Sequence, residues 1–324
     1  MLHRRTLLAA TLASPLASPA LAQGAWRPEK PIRVIVPYTP GAINDTLARL
    51  VGERMQEVFG QPGLVENRPG ASGSLGIAAA AQAAPDGHTI AVCNAANLCM
   101  NPFLFANTGY DPKRDIAPLT VSVRLMNALG VRGDGPIRDL RDLIARAKAA
   151  PGQLSYASSG AGSSPHLAAE LFKHQVGLDV VHVPYRGSSP GMIDLIGGRV
   201  DFTIDNLPNV LAQVEAGKVR CLAVTGTERD PTMPTVPTFQ EAGVPGYEMY
   251  VWFGFVGPSA LPPRIRDALG AGITRIVQGE DTREKLRRAG ATLWPQDGAG
   301  FARLIDAELT KWGGVIRSAG LKLE

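Results

Sequence analysis

The side chains best suited to chemistry in this sequence sit in loops. Gly187-Ser188-Ser189-Pro190-Gly191 satisfies the GxSxG pattern of a serine nucleophile and falls between a strand-like and a helix-like stretch. A hydrolase built that way draws an oxyanion donor from the residue after the nucleophile. Here that residue is Pro190, which has no N–H. The hydrolase fold also places its histidine after the serine, whereas every histidine precedes Ser189. Serine hydrolysis is therefore the weaker alternative, and no catalytic residue is assigned.

His166 stands near Ser163 and Ser164 at a helix start, where the dipole opposes protonation; a neutral structural or ligand-contacting role follows. His88, His166, His174 and His182 form no ligand spacing with the cysteines or acids, so no metal site is expected. Cys93, Cys99 and Cys221 are odd in number; Cys93 and Cys99 can pair only if the loop between them folds back. Gly70, Gly73 and Gly76 are spaced GxxGxxG rather than GxGxxG, and no acid follows at the distance a ribose needs. No cofactor is expected.

These loops are positioned by alternating strands and helices. In Val34–Leu50, an apolar β-branched run ends at Pro37, Pro40 and Gly41, and an amphipathic helix follows with Asn44 or Asp45 as its cap. A strand end feeding a helix start presents backbone N–H groups at a positive dipole end, which suits a carboxylate or phosphate. Further strands are expected at Leu64–Glu66, Thr89–Cys93, Leu119–Val123, Ala128–Val131, Leu154–Ala157, Val180–Val183, Phe202–Ile204, Cys221–Val224 and Tyr250–Val256. The polar or small loops after several of them open where α/β sheets bind ligands. Ser164, with Pro165 in the first turn, is read as a cap. Thr225–Tyr247, with four prolines, reads as a return linker, and a last helix around Phe301–Ile316 turns Phe301, Leu304, Ile305, Leu309 and Trp312 to the core.

Residues 1–22 read as an export signal: His3, Arg4 and Arg5 form a basic end, an apolar stretch follows, and Ala20-Leu21-Ala22 precedes cleavage before Gln23. Sec and Tat routes both fit, and the expected address is the periplasm. Of the 33 Lys plus Arg, Arg4 and Arg5 leave with the signal, so 31 against 29 Asp plus Glu gives +2. Scattered basic residues on a near-neutral chain argue against nucleic-acid binding. About 300 mature residues, 45% of the whole chain hydrophobic, suffice for two domains. Residues 23–125 and 226–324 are assigned to the first domain, the latter including the return linker, and 126–225 to the second.

The sequence resembles the periplasmic solute-binding proteins of tripartite tricarboxylate transporters, the Bug receptors. The resemblance spans nearly the whole mature chain and is carried by KPIRVIVPYTPGAINDTLAR from Lys30, VENRPGASGSLG from Val65, APDGHT from Ala84, LSYASSGAGSSPHLAAELF from Leu154, HVPYRGSSPGMIDLIGGRVDF from His182, DNLPNVL from Asp205 and LAVTGTERDPTMPTVPTFQEAGVPGYE from Leu222. It implies an α/β, two-domain, type II-like periplasmic-binding-protein fold with a ligand cleft between the domains and no catalysis. It also implies a small organic acid, carboxylate or amino acid, as ligand, and membrane subunits of a tripartite transporter as partners. The default state is a monomer, and a sensor without a transporter is an alternative.

Carried onto this sequence, the resemblance assigns Tyr38, Thr39, Gly41, Ala42 and Asp45 from the first loop and Asn94 from the third strand's end. The second domain supplies Gly160, Ser163, Ser164, His166, Tyr185, Arg186, Gly187, Asp205 and Asn206. The family usually has two glycines after the proline, whereas here Ala42 follows Gly41; Asn94-Ala95-Ala96-Asn97 replaces the family's common small hydroxyl residues. Asp45 reads as a helix cap or as a ligand neighbour that needs water or an amino group between. Tyr185 reads as a cleft wall or a core aromatic, and Arg186 as a reach toward a second carboxylate or a solvated surface residue.

Overall fold

The computed structural model describes residues 26–41, 43–318 and 320–322. The expected export signal, its cleavage site before Gln23, and Ala42 lie outside the described residues. In chain order the elements are β1 Ile32–Val36, α1 Ile43–Phe59, β2 Gly63–Asn67, α2 Ser74–Ala81, β3 Thr89–Asn94, α3 Asn101–Leu104, β4 Ile116–Arg132, α4 Leu140–Ala149, β5 Ser155–Ser158 and α5 Ser164–Val176. They continue with β6 Val181–Pro184, α6 Ser188–Ile196, β7 Phe202–Asn206, α7 Leu207–Glu215, β8 Val219–Val224, β9 Tyr250–Pro258, α8 Pro263–Gln278, α9 Glu280–Arg288, β10 Thr292–Gln296 and α10 Gly298–Ser318. A π-helical turn at Ala96–Met100 leads into α3, so Asn94-Ala95-Ala96-Asn97 is a helix start rather than an open loop.

Two sheets share β4. The first runs β2-β1-β3-β9-β4-β10, parallel from β2 to β3 and antiparallel thereafter. In the second, β6, β5 and β7 are mutually parallel, and the downstream half of β4 lies antiparallel between β7 and β8. The strands expected at Leu119–Val123 and Ala128–Val131 are thus one strand of 17 residues. Its residues 116–126 pair with β9, and from Asn127 it pairs with β7. No Gly or Pro interrupts the chain from Leu119 to Leu129, so nothing local forces a turn where the partners change.

β1 is buried on both faces: Val34 and Val36 pack with Leu47, Val51 and Met55 of α1, while Ile35 joins Ile77, Cys93 and Val121 on the other side. In the second sheet, Ala128, Ala157 and Val224 meet Leu195, Leu207 and Val210 beneath α6 and α7. The proline-rich return segment is packed rather than loose. Phe239 and Tyr247 are fully buried, stack with centroids 4.1 Å apart, and lie against Phe172 of α5. Phe301, Ile305 and Trp312 of α10 are buried as expected, with Leu304 and Leu309 packed at the edge. β10 has no sequence-based counterpart. Cys93, Cys99 and Cys221 are free thiols. Among the described residues no helix is long and apolar enough to cross a membrane.

The GxxGxxG stretch serves packing. A Cβ on Gly76 would lie 2.7 Å from Pro37 Cβ and 3.1 Å from Arg68 O, so its glycine lets α2 approach the first loop. Gly63 makes the same allowance for α1, since its Cβ would lie 2.6 Å from Gly52 Cα and 2.8 Å from Met55 Sδ. Gly63→Ala should therefore cost about 2 kcal/mol as an overpacking change, read as a lowered denaturant midpoint. A midpoint equal to wild type would show that α1 moves away freely.

Candidate functional site

A cleft of about 620 Å³ opens where the strand ends of the two sheets face each other. Its floor comes from the strands that cross between them: Leu125 of β4, and Tyr250, Val251 and Phe253 of β9, with Met249 and Met100 beside them. One wall is the loop after β1 and the start of α1, through Tyr38, Thr39, Gly41, Ile43 and Asn44, joined by Ser72 and by Asn94, Ala95 and Ala96. The opposite wall holds Ser159 to Ser164 at the start of α5, Gly187 before α6, and Asn206, Pro208 and Asn209 at the start of α7. Four helices, α1, α5, α6 and α7, thus begin at the cleft. No described residue lining it carries a charged side chain.

The first loop is held from behind. Asp45, expected as a cap or ligand neighbour, does not line the cleft; its carboxylate accepts from Gly41 N–H at 3.1 Å, Arg49 Nε at 2.9 Å and Asn67 Nδ2 at 3.0 Å. Burial pushes its pKa up, but the bonds from Arg49, Asn67 and Gly41 outweigh that and hold it below the usual carboxylate range. Gly41 has φ +96°, so a side chain there would strain the turn. Tyr38 donates its hydroxyl to Asn94 Oδ1 at 3.2 Å and Ser72 O at 3.3 Å, and burial raises its pKa to about 12. Asn94 also fastens the turn after β3: its N–H donates to Asn97 Oδ1, and its own Oδ1 accepts from Asn97 N–H.

Across the cleft the cap of α5 is Ser163, not Ser164. Its Oγ accepts from His166 N–H at 3.4 Å and donates to Gly160 O at 2.6 Å. Ser164, one residue inside, is left to face the cleft and meets Asn206 Oδ1 at 3.5 Å. His166 is 3% exposed and lies behind this wall, accepting from Gly162 N–H through Nδ1 at 3.0 Å and stacking on His182 with centroids 4.0 Å apart. Burial, and then the nearby His182, lowers its pKa to about 4, so it is neutral.

Of the residues assigned from sequence, Tyr38, Thr39, Gly41, Asn94, Gly160, Ser163, Ser164, Gly187 and Asn206 come together at the cleft. Asp45, His166, Tyr185, Arg186 and Asp205 do not line it. Tyr185 is drawn away by donating to Asp194 Oδ2 at 2.7 Å, and Arg186 is exposed outside the lining. Asp205 is buried beneath the α7 start, accepting from Asn206 N–H at 2.6 Å and Asn209 Nδ2 at 3.3 Å; burial raises its pKa. Sequence reasoning missed Asn44 as a lining residue, together with Ser72, Asn209 and the β9 floor. Only the floor carries a sequence signal, because the apolar run Tyr250–Val256 predicts a strand.

The geometry gives no support to hydrolysis. Ser189 sits on the exposed first turn of α6, while the ring of His182 is engaged with Ser158 Oγ at 2.7 Å. A shallower depression of about 420 Å³ between α1, α8 and α9 is spanned by the Arg54–Asp281 ion pair at 2.8 Å.

Residues 47–321 match the family model described as the tripartite tricarboxylate transporter family receptor. The protein BugT of Bordetella pertussis is 34% identical over 301 residues, covering 92% of this chain and 91% of that protein. Among solved structures, R. palustris Rpa4515 with adipate superposes with TM-score 0.80 at 37% identity, covering 91% of this chain and 99% of that one. MatC from Rhodopseudomonas palustris with bound malate gives TM-score 0.77 at 31% identity, over 89% and 99% of the two chains.

Proposed function

Because the chain belongs to the tripartite tricarboxylate transporter receptor family, whose members are periplasmic solute-binding proteins rather than enzymes, we propose that it captures a small organic acid and passes it to membrane transporter subunits. The observation that carries this reading is the set of four helix starts at a cleft whose described lining has no charged side chain. Helix starts offer N–H groups and a positive potential to a carboxylate without a counter-ion that would slow its release. The apolar floor of Leu125, Met249, Val251 and Phe253 suits a hydrocarbon body. Adipate and malate, seen with the two R. palustris proteins, supply the nearest ligand classes.

On this reading residues 23–125 are the first part of the first domain, 126–225 the second domain, and 226–324 the return linker, which packs on α5, followed by the rest of the first domain; β4 and β9 carry the movement between open and closed cleft. The mature receptor is a periplasmic monomer. A thermal-shift screen of mature protein against C4 to C6 dicarboxylates, aromatic acids and amino acids tests it. A ligand present at 100 times its Kd should stabilise by about 2.7 kcal/mol. A screen in which no carboxylate raises the Tm at millimolar concentration would refute the reading.

A further inference from the structure

Resting on that receptor reading, we propose that Asn44 is a specificity-determining residue that favours a hydroxy acid over the amino acid of the same carbon skeleton. Asn44 is the second residue of α1, lines the cleft, and is 5% exposed. Its Oδ1 has no hydrogen-bond partner among the described residues. The other buried side-chain atoms in that condition, on His88, Asn97, Asn101, Ser122, Asn127 and Trp252, belong to residues that do not line the cleft. A buried amide without a partner is costly, and here the group that can repay it is one a ligand brings.

The charge around Asn44 decides what that ligand group is. An ammonium would stand among four helix N-termini, where a cation is disfavoured, and would meet no carboxylate in the described lining. The two nearby acids are engaged elsewhere: Asp45 with Gly41 N–H, Arg49 and Asn67, and Asp205 with Asn206 N–H and Asn209. A hydroxyl carries no charge and both donates and accepts. It can satisfy the Asn44 carboxamide through either Oδ1 or Nδ2, so the discrimination is independent of which way the amide is turned. A site with a committed polar group penalises the analogue that leaves it unpaired.

The test is calorimetric titration with two matched series, succinate, malate and aspartate, then adipate, 2-hydroxyadipate and 2-aminoadipate. In whichever series binds more tightly, the hydroxy acid should exceed the unsubstituted acid by about tenfold, and the amino acid should fall below it by a similar factor. Asn44→Leu, nearly the same size, should bring the hydroxy acid to the level of the unsubstituted acid, read as the ratio of the two within that one variant. Asn44→Asp keeps the shape, adds an acid in the first turn of α1 where folding tolerates it, and should invert the order in favour of the amino acid. An amino acid that binds wild type as tightly as its hydroxy partner overturns the proposal, as does a hydroxy-to-parent ratio unchanged in both variants. If neither series binds wild type while the thermal-shift screen finds another carboxylate, this inference fails and the receptor reading stands; if that screen is empty as well, both fail.

Discussion

Asp45→Ala is expected to lower stability by about 3 kcal/mol and to weaken ligand binding at least tenfold, although Asp45 does not line the cleft. Its side chain is 6% exposed and accepts from the Gly41 N–H, the Arg49 guanidinium and the Asn67 amide, which also donates to Tyr38 O at 3.0 Å. Arg49 is half exposed, so water replaces much of that pairing and the ion pair contributes little. The cost arises chiefly at Gly41 N–H, and less at Asn67 Nδ2, which keeps Tyr38 O as a partner. Without a carboxylate, the turn at Gly41 loses the bond that holds its left-handed conformation, and the backbone donors before α1 lose their aim. Asp45→Asn retains one acceptor oxygen and should cost about 1 kcal/mol. Urea denaturation and calorimetry on the three proteins give the ranking. An Asp45→Ala protein within about 0.5 kcal/mol of wild type would mean that the loop keeps its shape unaided.

The second large effect is a loss of stability on acidification that His166 controls. In the unfolded chain His166 takes a proton near pH 6.5, and in the folded protein only near pH 4. Between those values the unfolded state binds more protons, so stability falls as pH falls through the window and is fully present above it. A displacement of that size corresponds to about 3 kcal/mol. His182, stacked on it and also lowered by burial, adds in the same direction. His166→Gln keeps an acceptor for Gly162 N–H and removes one titration. Its denaturant midpoint should therefore decline less steeply than wild type from pH 6.5 to 4. Identical slopes would place the acid sensitivity elsewhere. Because Gly162 lies in the cleft wall, ligand affinity should fall in the same window.

Most of the alternation of strand and helix was legible in the sequence, because β-branched runs such as Val34–Val36 and helix starts such as Ser163-Ser164-Pro165 are local signals. The continuity of β4 was not. A change of neighbours at Arg124–Asn127 leaves no mark in hydrophobic periodicity, and the polar residues there imitate a loop. β10 was missed since its five residues include Pro295 and only two pair closely with β4 before the register shifts. Asn44 and Asp45 are equally good caps on local grounds. Only tertiary partners separate them: Asn67, 22 residues downstream, takes up Asp45, while Asn44 is left toward the cleft. Tyr185 failed for the same reason, since Asp194 one helix later redirects its hydroxyl.

The shared strand also orders the way this chain can fold. The downstream half of β4 finds its partners in β7 and β8, all complete by Val224. Its upstream half waits for β9, which begins at Tyr250, and for β10, which begins at Thr292. Pairings between residues so far apart in sequence close slowly because a long loop must be ordered first. As the chain emerges from the ribosome, β1, β2 and β3 can pair with one another, but the β3 edge that takes β9 therefore stays open until nearly the last quarter has been made. The C-terminal elements thus act as a latch on the free edge of the N-terminal ones.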